Sequence, residues 1–141
     1  MSDRARTVVV GYDGSPTART ALSLGAERAG DGGSLFVVYA FDLPPDMLGG
    51  TTYAHAVADH KEHGRQVLAA LPDLPGVGVE CELIGGHAAE AIANIAEARG
   101  ADEIVIGSRG FSPLRGALGS TSHELLHRAS CPVVVIPPVD D

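Results

Sequence analysis

The feature that most constrains this sequence is a regular alternation of short apolar runs with segments long enough to form a helix. Thr7-Val8-Val9-Val10-Gly11-Tyr12, Leu35 to Phe41, Glu103-Ile104-Val105-Ile106 and Val133-Val134-Val135-Ile136 are the runs. Such runs are apolar on both sides, as strands between two covering layers must be. Val77 to Ile84 instead alternates apolar and polar residues, the pattern of an edge strand. Ser15 followed by Pro16 offers an N-cap and a proline at the first helical position. A helix is therefore expected to about Ala29, with Ala18, Ala21, Leu22, Gly25 and Ala26 inside. Further helices are expected over Tyr53 to Leu71 despite Gly64, Ala88 to Arg99, and Thr121 to Ala129, with Asp42 to Thr52 as a loop. The order βαβαβαβαβ predicts an α/β fold, an open five-stranded parallel sheet with right-handed crossovers and helices on both faces. A length of 141 residues fits one domain, 1–141.

Composition narrows the function classes. Aromatic residues make up 4% and Trp is absent, so the core must be built from Val, Ile, Leu and Ala. The formal net charge is −8, with ten scattered basic residues. No basic stripe exists to neutralise a phosphate backbone, so nucleic acid is not an expected partner. An anionic membrane surface would repel the chain. Met1 to Arg6 is polar and no apolar stretch follows, so neither a signal peptide nor a membrane span is expected, and the location expected is cytoplasmic. Cys81 and Cys131 lack metal or redox spacing and are read as small buried thiols in a reducing compartment.

The strongest local signal runs from Gly107 to Thr121, Gly-Ser-Arg-Gly-Phe-Ser-Pro-Leu-Arg-Gly-Ala-Leu-Gly-Ser-Thr. It leaves a predicted strand and enters a predicted helix. Ligands of open α/β sheets bind at the carboxyl ends of strands. Glycines there admit a ligand close to the backbone, and the next helix offers free N–H groups and a positive dipole end. Ser120 and Thr121 add hydroxyls, and Arg109 and Arg115 would balance phosphate charge. The bland alternative is a turn at Gly107 and Gly110 followed by a capping box from Thr121 to Glu124. Neither common phosphate motif is present. No Lys follows the last glycine, and the first strand turn, Gly11-Tyr12-Asp13-Gly14-Ser15, lacks the dinucleotide fingerprint. Asp13, at the end of the first strand, suits a sugar hydroxyl, a base or a metal, or simply a turn with Gly14.

Other motifs are weaker. His123-Glu124-Leu125-Leu126-His127 matches H-E-x-x-H, two imidazoles on one helical face. A catalytic zinc site needs a third ligand, and the 14 residues that follow contain no His or Glu. Solvent-facing histidines are the better reading, as for His60 and His63 on the second helix. His87 follows Gly85-Gly86 and reads as a turn residue, with a place on the crevice edge as the alternative. Lys61 is the single lysine and stands far from the last strand, which argues against a phosphoryl-accepting receiver. No base is poised beside the glycine turn, so hydrolysis should be slow or absent and no catalytic residue is assigned.

These residues resemble the universal stress protein family from Val8 to Pro137. Val9-Val10-Gly11-Tyr12-Asp13-Gly14-Ser15 resembles its opening strand and Asp turn, and Gly85 to Ile92 its third strand-to-helix turn. Gly107-Ser108-Arg109-Gly110 with Gly119-Ser120 resembles the G-x2-G-x9-G-(S/T) signature of the ATP-binding members, and Ala129 to Ile136 the closing strand. Eight residues, Phe111 to Leu118, stand where the signature has nine. The resemblance implies strand order 3-2-1-4-5, a Rossmann-like sheet with strands one and four adjacent. It places Asp13 near ribose or adenine, Ala40 beside adenine, Ile106 and Gly107 in the crevice wall, and Gly110, Gly119, Ser120 and Thr121 around the phosphates. The implied ligand is ATP, or ADP or AMP, with Mg²⁺ or Mn²⁺, in a stress-response or regulatory protein. Family members without the signature bind no nucleotide, so an interaction module of the same fold is the alternative. Val133 to Ile136 would be an unblunted apolar edge strand, which with the resemblance predicts an antiparallel homodimer.

Overall fold

A computed structural model describes residues 5–41, 50–108 and 119–139. Its elements are β1 (Thr7–Gly11), α1 (Pro16–Ala29), β2 (Ser34–Phe41), α2 (Gly50–Ala69), β3 (Gly78–Gly85), α3 (Ala88–Arg99), β4 (Glu103–Gly107), α4 (Ser120–Arg128) and β5 (Val133–Ile136). All five strands are parallel, in the order β3-β2-β1-β4-β5. This is the expected order, with the alternating segment at one edge and Val133–Ile136 at the other.

Successive residues of a strand point to opposite faces, so Val8 and Val10 serve one layer and Val9 the other. Val8, Val10, Leu35, Val37 and Val105 pack with Ala18, Ala21 and Leu22 of α1. Val9, Phe36, Val38, Ile104 and Ile106 pack with Ala89, Ile92 and Ala96 of α3 and Leu125 of α4. Full burial of each aliphatic side chain of this kind is worth roughly 1.5–3 kcal/mol. The core is thus the Val, Ile, Leu and Ala core that a Trp-free sequence requires.

Three local expectations differ from what is observed. The helix expected from Tyr53 begins at Gly50, so the end of the expected loop is helical. Gly64 does not weaken this helix but seats it: a Cβ there would lie 2.4 Å from Leu83 Cδ1 and 2.8 Å from the Tyr39 ring. Gly64 is the buried residue of α2, and the helix lies closest to the sheet at this point. Cys81, expected to be buried, is exposed, and Cys131 is partly buried; both thiols are free. The reason is position. Cys81 lies on β3, the sheet edge, and most of that strand is exposed. Burial still pushes both thiols above their ordinary value. Among the described residues, no helix is long and apolar enough to cross a membrane.

Candidate functional site

The crevice follows from unequal strand lengths. β1 pairs with β2 only as far as Gly11 opposite Val38, whereas β2 continues beside β3 to Phe41 opposite Gly85. Past Val38 the β1-facing edge of β2 is therefore unpaired by β1, and Ala40 sits on that rim, opposite Ile84. On the other side β1 is paired with β4, whose last residues Ile106 and Gly107 lie opposite Val135 and Ile136 of β5. The two chain ends that leave the sheet upward at its centre, after Gly11 and after Gly107, are thus neighbours. Their divergence to α1 and α4 opens the crevice at the switch in strand order.

The β1–α1 turn satisfies itself. Asp13 is exposed, and its Oδ1 accepts a hydrogen bond from Ser15 N at 2.9 Å. Ser15 Oγ in turn accepts from Ala18 N at 3.2 Å, capping α1 with Pro16 just inside. Burial pushes the hydroxyls of Tyr12 and Tyr39 up. Asp13 adds to both rises, and Arg19 lowers that of Tyr12. The Asp13 carboxylate therefore stands over the ends of β1 and β2.

The β4–α4 turn is built differently. Gly107 is required by space, because a Cβ there would stand 2.9 Å from Thr17 Cγ2 of α1. The Gly107 carbonyl accepts from Ser122 Oγ at 2.7 Å, which ties the end of β4 to the first turn of α4. Ser108 N donates to Ile136 O at 2.7 Å, and Gly119 N donates to Ser108 O. Gly119 is the N-cap of α4, and no side chain caps that helix. The expected capping box from Thr121 to Glu124 is not formed, since the N-cap is Gly119, two residues before Thr121. Glu124 turns away to His87 and Arg128. Ser108 is 5% exposed, and its Oγ has no hydrogen-bond partner among the described residues. A buried hydroxyl without a partner beside an uncapped helix N-terminus suits a polar ligand. Ser120 is exposed and Thr121 half-buried at this opening. Arg109, Gly110 and Arg115 lie outside the described residues.

One contact beside the crevice is not visible in the sequence. His87, the N-cap residue of α3, bonds through Nε2 to Glu124 Oε1 at 2.6 Å. Glu124 also accepts from Arg128 Nε at 2.7 Å, and Arg128 reaches Glu90 of α3 at 3.7 Å. These bonds to His87 and then Arg128 hold the Glu124 carboxyl below its ordinary value. The cluster clasps the start of α3 to α4 and so fixes the helix that bounds the opening. Its partners are 37 residues apart, beyond any local pattern. His60 is exposed yet stacks on Phe41 with ring centroids 5.5 Å apart, and His63 meets Tyr39 edge-on.

A family model described as the universal stress protein family matches residues 4–137. The chain belongs to the universal stress protein family. A universal stress protein of Thermus aquaticus is 36% identical over 134 residues, covering 93% of this chain and 98% of its own. Among solved structures, the hypothetical protein MJ0577 superposes with a TM-score of 0.82 at 22% identity, covering 96% of this chain and 98% of that one. A universal stress protein in complex with cAMP gives 0.62 at 22% identity, covering 96% and 98%. The universal stress protein of Archaeoglobus fulgidus in complex with dAMP gives 0.58 at 20%, covering 96% and 99%. The three structural likenesses establish the shared universal stress fold, including its strand order.

Proposed function

We propose that this universal stress protein binds an adenine nucleotide, ATP first among them and ADP or AMP as alternatives, in the crevice between the ends of β1 and β4. It acts as a nucleotide-dependent stress-response or regulatory protein, with hydrolysis slow or absent. The observation that carries this reading is the β4–α4 turn. Gly107, a buried Ser108 hydroxyl without a partner among the described residues and the Gly119 N-cap without a side-chain cap all belong to this one turn. Backbone N–H groups at such a terminus favour phosphate. Relatives of the same fold solved with cAMP and with dAMP support the adenine class.

In this reading Gly119, Ser120 and Thr121 hold the phosphates, together with Gly110 and Arg109 of the preceding turn. Ile106 and Gly107 form the crevice wall, and Ala40 lies beside the adenine. Asp13 keeps its turn bond through Oδ1 and offers Oδ2 to the ribose or base. A divalent cation, Mg²⁺ or Mn²⁺, would accompany the phosphates. With no base assigned, turnover should fall far below the median enzyme rate of about ten per second. Mass spectrometry of small molecules released from the denatured, freshly purified protein tests the reading. An adenine nucleotide near one per chain is expected. A ligand-free protein that also fails to take up added ATP would favour a module that acts through protein contacts alone.

The exposed edge supports a second element of the proposal, a homodimer through Val133–Ile136. β5 ends the sheet, and Val133, Val134 and Val135 are only half-buried. Pairing with a second copy would satisfy both ladders and cover the valines. Light scattering after size exclusion should give twice the chain mass, and Val134→Pro should shift it towards one chain or to aggregate. A single-chain mass for the wild type at micromolar concentration would refute the dimer.

A further inference from the structure

The H-E-x-x-H segment is not used by the crevice. Ser122 and Leu125 of α4 face inward, while His123 and His127 are exposed on its outer side. Their rings lie with centroids 5.0 Å apart and planes at 67°. Neither imidazole forms a hydrogen bond or an ion pair with another described residue. The Glu124 between them is committed to His87 and Arg128 on the α3 side, so the motif's acid is turned away. Among the described residues no cluster of three or more potential metal ligands exists. The two rings therefore stand as a pair.

From this arrangement we infer that His123 and His127 form a two-point chelate for a divalent transition-metal ion of the zinc class, on the solvent face of α4 and separate from the nucleotide crevice. The centroid separation is compatible with two ligands to one ion when a nitrogen of each ring turns towards it. A zinc–imidazole bond is about 2.0–2.1 Å, which puts each ring centroid about 3.2 Å from the metal. Two centroids 5.0 Å apart then subtend about 100° at the ion, close to a tetrahedral angle. Spacing of i, i+4 on a helix holds both side chains over the same turn without strain. Neutral imidazole suits Zn²⁺, Ni²⁺ and Cu²⁺, and water fills the other positions. The site is a binding site with no acid or base beside it, since Glu124 is held elsewhere. His127 also lies in the last turn of α4, where the helix dipole favours a cation. The competing explanation is a plain edge-to-face contact of the two rings, which needs no metal.

The test uses the full chain without nucleotide, titrated with Zn²⁺ while the imidazole nitrogens are followed by long-range ¹H–¹⁵N NMR. His123 and His127 should shift together and saturate at one Zn²⁺ per chain. Calorimetry should show at least a tenfold loss of Zn²⁺ affinity in His123→Asn and in His127→Asn, with melting temperatures in metal-free buffer unchanged. Shifts at His55, His60, His63 or His87 in place of this pair would overturn the site. So would a double variant that binds Zn²⁺ as tightly as the wild type, or no shift up to millimolar Zn²⁺. The wild-type spectra decide the question even if a variant folds poorly.

Discussion

The two ends of the sheet are finished in opposite ways. At the amino-terminal end of the strands the chain is latched shut. Thr7 and Asp102 exchange two bonds, Thr7 N to Asp102 Oδ2 at 2.9 Å and Asp102 N to Thr7 O at 2.8 Å. Glu103 is 4% exposed and is gripped by the Arg28 fork, with Arg6 at 3.7 Å. One buried nitrogen there, Arg6 Nε, lacks a partner among the described residues. At the carboxyl-terminal end, strands of unequal length, glycine at 107 and 119, an orphan hydroxyl on Ser108 and an uncapped α4 leave polar groups unmatched. The lesson is a division of labour. Changes at the closed end should move stability and spare ligand binding; changes at the β4–α4 turn of the open end should do the reverse.

The largest effect is expected at the closed end. Arg28→Met leaves the Glu103 carboxylate buried with only the more distant Arg6. Breaking a fully buried pair costs about 3–5 kcal/mol, and the 40% exposure of Arg28 reduces this to about 2 kcal/mol. Urea unfolding should register that loss while ATP affinity stays within about twofold of the wild type. A large loss of affinity would dissolve the division of labour.

Gly119→Val attacks the open end. Its side chain would occupy the space proposed for phosphate and cost tenfold or more in ATP affinity, about 1.4 kcal/mol. Calorimetric titration checks it, and unchanged affinity in a folded variant would remove the phosphate cradle from α4.

Ser15→Ala sharpens the contrast within the open end itself, because the β1–α1 turn is self-capped. Loss of the bond to Ala18 N should cost about 1 kcal/mol of stability and leave nucleotide affinity intact. If affinity fell instead, the Ser15 cap itself would have to be counted among the groups that hold the nucleotide.

The smallest effect concerns the clasp between α3 and α4. The Glu124 carboxyl is lowered by its bonds to His87 and Arg128. A group lowered in the folded state stabilises above its unfolded-state value, and that contribution disappears as pH falls through the folded value. The stability difference between wild type and Glu124→Gln should therefore be present at neutral pH and vanish in acid. A difference that persists unchanged below pH 3 would show that the clasp acts through packing.

Most of this frame was legible because its signals are local. Apolar runs placed the strands, Ser15-Pro16 placed the start of α1, and α3 occupies Ala88–Arg99 as expected. Asp13, Gly107 and Gly119 stood out because turn residues at strand ends are visible in one dimension. What remained hidden was contact between distant segments. The seat that Gly64 makes against Tyr39 and Leu83, the reach of His87 to Glu124, and the exposure of Cys81 on the sheet edge all depend on which elements become neighbours. The capping box failed because the cap of α4 falls at Gly119 instead of Thr121, which left Glu124 to His87 and Arg128. Arg109 and Gly110 were named from the glycine spacing alone and lie outside the described residues.

The central claim, that the open end of the sheet is a nucleotide site, is tested most directly by titrating the purified, nucleotide-stripped protein with ATP and Mg²⁺ in a calorimeter. The predicted result is saturable binding of one ATP per chain, suppressed when the protein is first saturated with AMP or ADP. Absence of any binding up to millimolar ATP, in protein shown to be folded, would contradict it.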